Sequence, residues 1–445
     1  MRSQSIAFLQ TRRVSVLACV VLVLAFSATA RALTMDQAVK SALSSNLDLR
    51  AAYFEVEKAR GRLIQAGLWP NPDLEIGGRT DRAFSSEGER AFSVGFAQSF
   101  PITGRLKFAK AVSRVDVAQA MVEIRNRERL LIGEVQREFL TALLLRQQIA
   151  ANNEFIGVSQ DFVNLFKQRL TKAEVSEVDV NLAAVELQRV QLENAVLEAD
   201  LSTRELALRQ QLGVGPSSPL QLDGNVETLA AKFQPDRYAP TMAVNRPDLR
   251  LIELAVDRAQ AEMRLARAEA WQDWSFGLDY ENERTLDEPA GLRTDRFTGL
   301  KLSIPLPVWN RNEGKVHEQQ ATADQARQQI EALRLSIRTE IATGIAQATK
   351  LREVVSSYQK ALLPRIDASA ELLKKGYAEG LLDATKLIQL QQQRTTLRAS
   401  YLSAYTSYVQ ALVSLETASG GSPFLSKDFL SDRNPQPGKR NGFRK

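Results

Sequence analysis

The sequence predicts a mainly α-helical protein with a small β part, organised as two similar halves. Three observations lead to this fold class: residues that recur in the same order, long segments without proline, and short alternating segments between them. Residues 102–215 contain no proline, and residues 365–422 contain none either. Because a proline inside a helix costs ~3 kcal/mol or more, these segments allow very long helices.

The two halves repeat the same residues in the same order. Trp69 precedes the first predicted strand pair, and Trp271 precedes the second one. An internal repeat of this length predicts one supersecondary unit made twice: a helix, a strand pair and long helices. We therefore predict a first repeat over residues 33–235 and a second over residues 236–420. The other matched residues are Asn46, Asp48, Leu49, Arg50, Gly95, Ser99 and Pro101 with Asn245, Asp248, Leu249, Arg250, Gly299, Ser303 and Pro305.

Residues 1–32 have the features of a secretory signal peptide. Three arginines precede an apolar stretch at 14–26, which is shorter than the ~20 residues of a membrane-spanning helix. A cleavage site with small residues follows at 30–32. Cys19 also fits a lipoprotein attachment site, so lipidation is the alternative, although the apolar stretch continues beyond that cysteine.

The distribution of charge and cysteine argues against a nucleic-acid-binding protein and against a disulfide-bonded one. Four arginines lie within residues 1–32, and residues 427–445 carry six basic against two acidic side chains. The formal charge of +6 therefore arises at the two ends and not on a basic face that could bind nucleic acid. Residues 421–445 are predicted to be a disordered, polar and basic tail. Cys19 is the sole cysteine, so the exported chain would contain no disulfide.

A regular apolar stripe in the second half predicts packed helices with a gentle supercoil. Its mean spacing of about 3.56 residues lies between a straight helix and a heptad seam. The stripe consists of Ile330, Leu333, Ile337, Ile341, Ile345, Ala348, Leu351, Val355, Tyr358 and Leu362.

Four short segments alternate between apolar residues and small or polar ones, which predicts strands with two different faces. The first pair lies at about 72–101 and the second at about 273–305. A half-buried strand of a soluble sheet shows this pattern, and so does a strand of a membrane β-barrel. The apolar residues include Leu74, Ile76, Phe92, Val94, Phe96, Phe276, Leu278, Tyr280, Leu300 and Leu302.

The tryptophans favour the membrane interpretation of these strands. All four stand within a few residues of a predicted strand–helix junction, as in the aromatic belt at a membrane interface. Four strands cannot close a barrel, and an open edge in lipid leaves unpaired backbone groups that cost several kcal/mol each. Subunits would therefore share one barrel, with eight strands from a dimer or twelve from a trimer. The residues concerned are Trp69, Trp271, Trp274 and Trp309.

Several segments of the second half match a known family. The Arg-Pro-Asp-Leu sequence at 246–249 opens the second copy, and the strand-to-helix segment at 303–307 is followed by Asn-Arg-Asn at 310–312. In their order and spacing, and in the two-copy organisation over about 33–419, they resemble the TolC-like outer-membrane efflux factors. The resemblance implies a homotrimer with a shared 12-stranded β-barrel in outer-membrane lipid and a coiled-coil barrel of long helices in the periplasm.

The same resemblance implies a passive duct of a tripartite efflux system, whose partners are a periplasmic adaptor and a proton-driven inner-membrane pump. It places a gate at the periplasmic tip, where a helix–turn–helix of each repeat lines the aperture. Ala173 stands where the family has a turn glycine, and Leu382, Lys386 and Gln389 stand where relatives carry an arginine and two acids, so the same ion pairs are not expected to close this tip. The implied tip residues are Glu177, Asp179, Tyr377, Gly380, Asp383 and Lys386.

The acids at these two turns have two interpretations. They could belong to ordinary solvated loops. Tripled by symmetry, they would instead form an acidic ring that favours cations and meets a partner.

The sequence contains no recognisable active site. His317 is the only histidine and lies in a polar helix, and no glycine-rich phosphate loop is present. We therefore predict no enzyme, no cofactor and no bound metal. The competing function is a periplasmic adaptor or a structural coiled-coil protein without a barrel.

The exported substrate is suggested by two strand-to-helix segments. Residues 101–105 and 307–312 are most similar to the heavy-metal cation branch of the family, with drugs or other organic solutes as the alternative. A duct without soft ligands does not choose a metal, so selectivity would reside in the pump.

Overall fold

The computed structural model describes residues 32–81, 88–239, 246–287, 289–378 and 384–420. The signal peptide up to residue 31 and the tail after Gly420 lie outside the described residues. Two compact units are present. The helical unit comprises Met1–Leu47, Arg129–Met242 and Glu340–Lys445, and the sheet unit comprises Asp48–Glu128 and Ala243–Thr339. Each unit therefore contains parts of both predicted repeats.

The first half begins with short helices and continues into very long ones. Thr34 caps the first helix, where its side chain and that of Gln37 bond reciprocally to backbone N–H groups. The elements are α1 (Met35–Ser45), α2 (Leu47–Gln65), β1 (Asp73–Thr80), β2 (Arg90–Phe100), α3 (Arg105–Leu170), α4 (Glu177–Gln211) and α5 (Val226–Ala230), before a 3₁₀ turn at Pro235–Arg237.

The second half has the same order of elements. Its first helix begins with Pro247 in the first turn, where a missing N–H group is tolerated. The elements are α6 (Pro247–Glu269), β3 (Trp274–Asp287), β4 (Gly291–Ser303), α7 (Glu313–Ser357), a π turn (Tyr358–Leu362), α8 (Leu363–Ala378) and α9 (Ala384–Ser419). The predicted class, mainly helical with a small β part, is confirmed.

The four strands form one antiparallel sheet in the order β1-β2-β3-β4. Leu74, Phe96, Leu278 and Leu300 form a row across it. Because side chains alternate between faces, one face is largely apolar, as the sequence predicts. The exposed apolar residues of this face include Leu74, Ile76, Phe92, Phe96, Phe276, Leu278, Tyr280, Leu300 and Leu302.

The opposite face combines carboxylates with glycines. Glu75, Gly95, Asp279 and Gly299 form a row next to the leucine and phenylalanine row. A Cβ atom on Gly299 would lie 2.6 Å from a carboxylate oxygen of Asp279, so the glycine leaves room for this acid. The strand residues of this face are more often acidic than basic. They include Asp73, Glu75, Asp279, Glu281, Glu283, Asp287 and Asp295 against Arg79, Arg293 and Lys301.

The core of the helical unit lies between long helices that approach closely. Phe139, Leu140, Leu412 and Leu415 are fully buried. A Cβ atom on Gly133 would lie 2.4 Å from the hydroxyl oxygen of Thr417, so glycine sets the distance between α3 and α9 there. Close packing of this kind fixes which faces of the two helices meet.

Pro364 lies two residues after the π turn and explains it. The N–H group of Leu363 bonds to the carbonyl of Tyr358, which is the wider spacing of a π turn. A proline lacks the N–H donor and crowds the preceding turn, and the extra residue relieves that crowding. Within the predicted stripe, Ile341 is buried but Leu362 is exposed, because the π turn shifts the face of the helix. The prediction for Leu362 is therefore wrong.

Among the described residues, we find no helix with both the length and the apolar character that a bilayer crossing requires.

Candidate functional site

The turn between α3 and α4 is the predicted tip of the first repeat, and backbone hydrogen bonds define its geometry. The N–H group of Ala173 bonds to the carbonyl of Leu170 at 2.9 Å, and that of Glu174 to the carbonyl of Arg169 at 3.0 Å. Ala173 has a φ of 59°, in the left-handed region where a glycine is usually found. The alanine therefore occupies the position of the turn glycine, at a cost of roughly 1–2 kcal/mol.

Ser176 caps the start of α4, and Asp179 completes the capping box. Its carboxylate accepts hydrogen bonds from the hydroxyl of Ser176 at 2.7 Å and from the N–H group of Ser176 at 3.1 Å. The N–H group of Asp179 donates in return to the Ser176 hydroxyl oxygen at 3.2 Å. This capping box satisfies backbone groups that the first helical turn leaves free, so the acid shapes the turn. Glu177, by contrast, is exposed.

Asp179→Ala should loosen this turn. Loss of a capping side chain costs about 1 kcal/mol, which corresponds to roughly five-fold faster local opening. Hydrogen exchange of the amides in residues 171–185 measures that opening. Glu177→Ala is the matched control, because it removes an exposed acid from the same turn and should leave exchange nearly unchanged. Equal exchange in the two variants would contradict the capping role.

The tip residues of the second repeat are only partly visible. Gly380 and Asp383, together with the neighbouring Leu382, lie outside the described residues. Tyr377 falls in the last turn of α8, but its side chain is outside the description as well. Lys386 is exposed in the first turn of α9. The structure therefore does not test whether these residues meet those of the first turn.

The start of α9 nevertheless packs on the predicted tip of the first repeat. An apolar cluster joins the end of α3 to the start of α4, and Ile388 of α9 lies against it. This contact places the beginning of α9 beside the turn that contains Ala173 and Asp179. The buried members of the cluster are Val163, Phe166, Val180, Ala183 and Leu187.

A polar link between α4 and α9 lies next to this cluster, and it was not predicted from the sequence. Glu186 is 6% exposed and accepts a hydrogen bond from the side-chain amide of Gln392 at 3.0 Å. Arg189 donates two further bonds to the same carboxylate, at 2.6 and 3.0 Å. Burial would raise the pKa of Glu186, but the bonds from Arg189 and Gln392 outweigh it, so its pKa is lowered. The carboxylate is therefore charged at neutral pH.

Two ion pairs of one aspartate, Asp367, connect α8 with α9 in the second repeat. Asp367 of α8 accepts from Arg394 at 2.8 Å and from Arg398 at 3.2 Å, and both arginines lie on α9. These ion pairs are partly exposed, so each contributes on the order of 0–1 kcal/mol. These two ion pairs align α8 with α9.

The predicted membrane-interface tryptophans all lie in the sheet unit, at or near strand ends. The ring of Trp69 contacts that of Phe100 edge-on at 6.0 Å, and Trp309 is 95% exposed after β4. Trp271 precedes β3 and Trp274 is its first residue. The indole N–H of Trp274 is buried without a hydrogen-bond partner among the described residues. Exposed rings at strand ends are typical of an interfacial belt.

No group of metal-binding side chains stands out in the part of the chain that the structure describes. Within it, no three or more His, Cys, Asp or Glu residues are close enough to hold an ion. His317 is exposed in α7.

The sequence matches one family model and is similar to several characterised proteins. The family model described as outer membrane efflux protein matches residues 38–214 and 240–421. The cobalt-zinc-cadmium resistance protein CzcC of Cupriavidus metallidurans is 21% identical over 395 residues, covering 87% of this chain and 90% of that protein. The pyoverdine export outer membrane protein OpmQ of Pseudomonas putida is 22% identical over 411 residues, covering 85% of each.

The fold also matches solved structures. A crystal structure of CusC superposes with a TM-score of 0.69 at 19% identity, covering 87% of this chain and 92% of that one. The cation efflux system protein CusC of Escherichia coli strain K12 is 23% identical over 399 residues, covering 86% of this chain and 85% of that protein. The two matched segments together span most of the sequence. The chain therefore belongs to the outer membrane efflux protein family.

Proposed function

We propose that this chain forms a homotrimeric duct through the outer membrane and exports heavy-metal cations. As a member of its family it is an outer-membrane efflux channel and not an enzyme. In the proposal, a proton-driven inner-membrane pump and a periplasmic adaptor deliver the substrate, and the chain supplies the last passage. Each of the predicted repeats, 33–235 and 236–420, contributes one hairpin to the barrel and one turn to the tip.

The four-stranded sheet is the observation that carries the proposal. Its apolar face suits lipid, and its face of glycines and acids suits a water-filled lumen. Strands β1 and β4 are the edges of the sheet, and each has one neighbouring strand. Because unpaired backbone groups are costly in lipid, β4 of one subunit should pair with β1 of the next. Three copies then close a barrel of twelve strands.

Two observations favour metal cations as the exported substrate. CzcC is named for resistance to cobalt, zinc and cadmium, and CusC for cation efflux. The lumen face proposed here carries more acidic than basic strand residues, which lowers the energy of a cation in the passage. The similarity to OpmQ, which is named for pyoverdine export, favours the alternative of an organic solute.

The proposed gate is the pair of helical turns at the periplasmic end. Glu177, Asp179 and Lys386 lie at the described parts of these turns, and Tyr377, Gly380 and Asp383 complete the proposed set. Packing of Ile388 on the first turn and the bond from Gln392 to Glu186 would hold the two repeats together in the closed state. A docking partner would open the aperture by separating them.

Deletion of the coding sequence should raise the metal content of the cells. We expect several-fold more cobalt, zinc or cadmium after a sublethal exposure, measured by mass spectrometry of washed cells, because the pump would have no outlet. The wild-type sequence on a plasmid should restore the low content. If an organic dye accumulates and the metals do not, the assignment of metal cations as the substrate is wrong. If neither accumulates, the export function is wrong.

A further inference from the structure

A cavity of about 450 Å³ lies in the helical unit, where the segment between α4 and α6 faces α7 and α9. Its inner wall is aromatic and apolar: Phe233 and Tyr405 are only 4% and 5% exposed, and Pro235 is buried as well. At the rim, Arg352 donates a hydrogen bond to Asp236 at 3.1 Å, so these two charges balance each other. The other charged residues of the rim are Glu227 and Arg237, and both are exposed.

Tyrosine rings form a row along α9 that leads into this cavity. Tyr401, Tyr405 and Tyr408 recur at intervals of four and three, so their side chains lie on one face of the helix. The ring centroids of Tyr401 and Tyr405 are 6.0 Å apart, and those of Tyr405 and Tyr408 are 6.2 Å apart. Tyr405 and Tyr408 line the cavity. Grooves lined by aromatic rings are surfaces on which proline-rich segments bind.

The two remaining rim charges lie at different levels of α9. Tyr238, next to Arg237, donates a hydrogen bond to Glu416. Burial raises the pKa of Glu416, and the bond from Tyr238 and the charge of Arg237 oppose this rise, which puts Arg237 near the end of α9. Burial also raises the pKa of Tyr405, and the negative charge of Glu227 adds to that effect, which puts Glu227 farther back along the helix. A segment that runs back from the end of α9 therefore meets a base first, then the tyrosines, then an acid.

The chain after α9 carries a pair of prolines with charges on both sides. Residues 434–438 read Asn-Pro-Gln-Pro-Gly. Asp432 precedes them, and Lys439 and Arg440 follow them. Arg433 also lies on the near side, but neighbours in an extended segment point to different sides, so Asp432 can face a base alone. An acid, two prolines and two bases thus follow one another in the order that complements the cavity.

The length of this segment allows it to reach the cavity. Tyr408 lies 11 residues before Ser419, which is roughly 16 Å along the helix at ~1.5 Å per residue. Pro435 lies 15 residues after Gly420, which is up to ~50 Å of extended chain. The prolines can therefore return to the level of Tyr408 with several residues to spare.

The prolines also match the tyrosines in spacing. A polyproline helix has three residues per turn, so Pro435 and Pro437 form one side of it and Gln436 points away. At ~3.1 Å per residue, the two prolines lie ~6 Å apart. The rings of Tyr405 and Tyr408 are 6.2 Å apart, so each ring can hold one proline.

We propose that residues 434–440 dock in the cavity of their own chain. The two prolines pack on Tyr408 and Tyr405, and the two bases lie beside Glu227. A segment that is predicted to be disordered can become ordered where it docks. The docked tail contacts the segment between α4 and α6 as well as α9, so it connects the first predicted repeat to the second.

Pro435→Ala with Pro437→Ala tests the docking without a change in the described part of the fold. Trypsin cleaves after Lys439 and Arg440, and docking should slow this cleavage. A tethered segment has an effective concentration on the order of 1 mM, so a Kd of about 0.1 mM would slow it about ten-fold relative to a free peptide of residues 426–445. We expect the double variant of the full chain in detergent to lose most of this protection, measured by mass spectrometry of the released peptides.

Gln436→Ala is the matched control for the proline variant. Its side chain would point away from the tyrosines, so the protection should stay. Each cleavage rate is divided by that of the free peptide with the same substitution, which removes any direct effect of the change on trypsin.

Glu227→Lys tests the cavity side of the contact. It places a base beside the two bases of the tail, so we expect cleavage to become at least about three-fold faster. Glu371→Lys is the control, because it makes the same change at an exposed acid of α8 that does not line the cavity. Far-UV circular dichroism checks that both variants keep their helices.

A cysteine pair shows whose tail occupies the cavity. Cys19 belongs to the predicted signal peptide, so the exported chain would offer no competing thiol. Ala231 lines the cavity and is exposed. Under mild oxidation, Ala231→Cys with Gly438→Cys should form a disulfide within one chain, seen as a monomer on a non-reducing gel that no longer reacts with a maleimide. Glu371→Cys with Gly438→Cys should stay reactive.

Several results would overturn the docking. Equal cleavage of the wild-type chain and the free peptide would mean that the tail does not dock. Protection that survives the proline variant would rule out the contact of prolines with tyrosines. Loss of protection in the proline variant but not in Glu227→Lys would place the tail on another surface. Disulfide-linked dimers would assign the tail to a neighbouring copy and overturn docking within one chain.

Discussion

Phe96→Arg should abolish assembly of the channel in the outer membrane. Phe96 lies in the middle of β2 on the apolar face, between Leu74 of β1 and Leu278 of β3. An arginine on the lipid face of a β-barrel costs roughly 2–4 kcal/mol near the middle of the bilayer. A trimer would contain this cost three times, which is comparable with the whole stability of many domains. Membrane fractionation and the amount of heat-sensitive oligomer on a gel measure the effect.

Ala97→Arg is the matched control for Phe96→Arg. Ala97 is the next residue in β2 and faces the opposite side, beside Asp73 and Gly277. In the proposed barrel its side chain enters water and meets an acid, so assembly should persist. If both variants assemble equally well, the apolar face does not contact lipid. If both fail equally, crowding of the strand and not lipid contact is the cause.

The sequence predicted the strands better than it predicted the contacts between helices. Strand alternation depends on local residues such as Phe92, Val94 and Phe96, and the structure confirms which of them share a face. Long helices followed from the lack of proline and from the regular stripe. The stripe differs from the structure only at Leu362, because Pro364 favours a π turn in the preceding residues and residue spacing alone does not predict it.

Partners across the fold could not be read from local spacing. Glu186 lies between Ala183 and Leu187 on the buried side of α4, and an acid at such a position is a signal that was missed. Its partner Gln392 is 206 residues away, and nothing in either segment indicates the other. The capping role of Asp179 was open to prediction, because Ser176 stands three residues before it. The sequence could therefore predict the turns of the candidate site. It could not predict the hydrogen bond from Gln392 to Glu186 that links the two repeats.

Glu186→Ala should destabilise the proposed closed tip, because Glu186 joins α4 to α9 beside the first turn. The substitution removes the acceptor of Gln392 and leaves Arg189 without its buried partner. Loss of one member of a buried, charged hydrogen-bonded group costs roughly 1–3 kcal/mol. With α4 and α9 less firmly joined, the proposed gate should open more often. We expect a higher single-channel conductance at neutral pH, with a lower midpoint of urea unfolding.

Acidification should have the same effect on the wild-type protein. The pKa of Glu186 is lower in the folded protein than its ordinary value of 4.5, so the unfolded state takes up a proton more readily. The stabilisation from this carboxylate is therefore complete above pH 4.5 and is lost as the pH falls through the lowered pKa. Conductance should rise across that acidic range in the wild type, and much less in Glu186→Gln, which keeps the size of the side chain but has no charge to lose. Glu193→Gln is the control, because that acid also pairs with Arg189 but lies on the exposed side. An equal response of Glu186→Gln and the wild type to acid would assign the effect to other carboxylates and remove Glu186 from the gate.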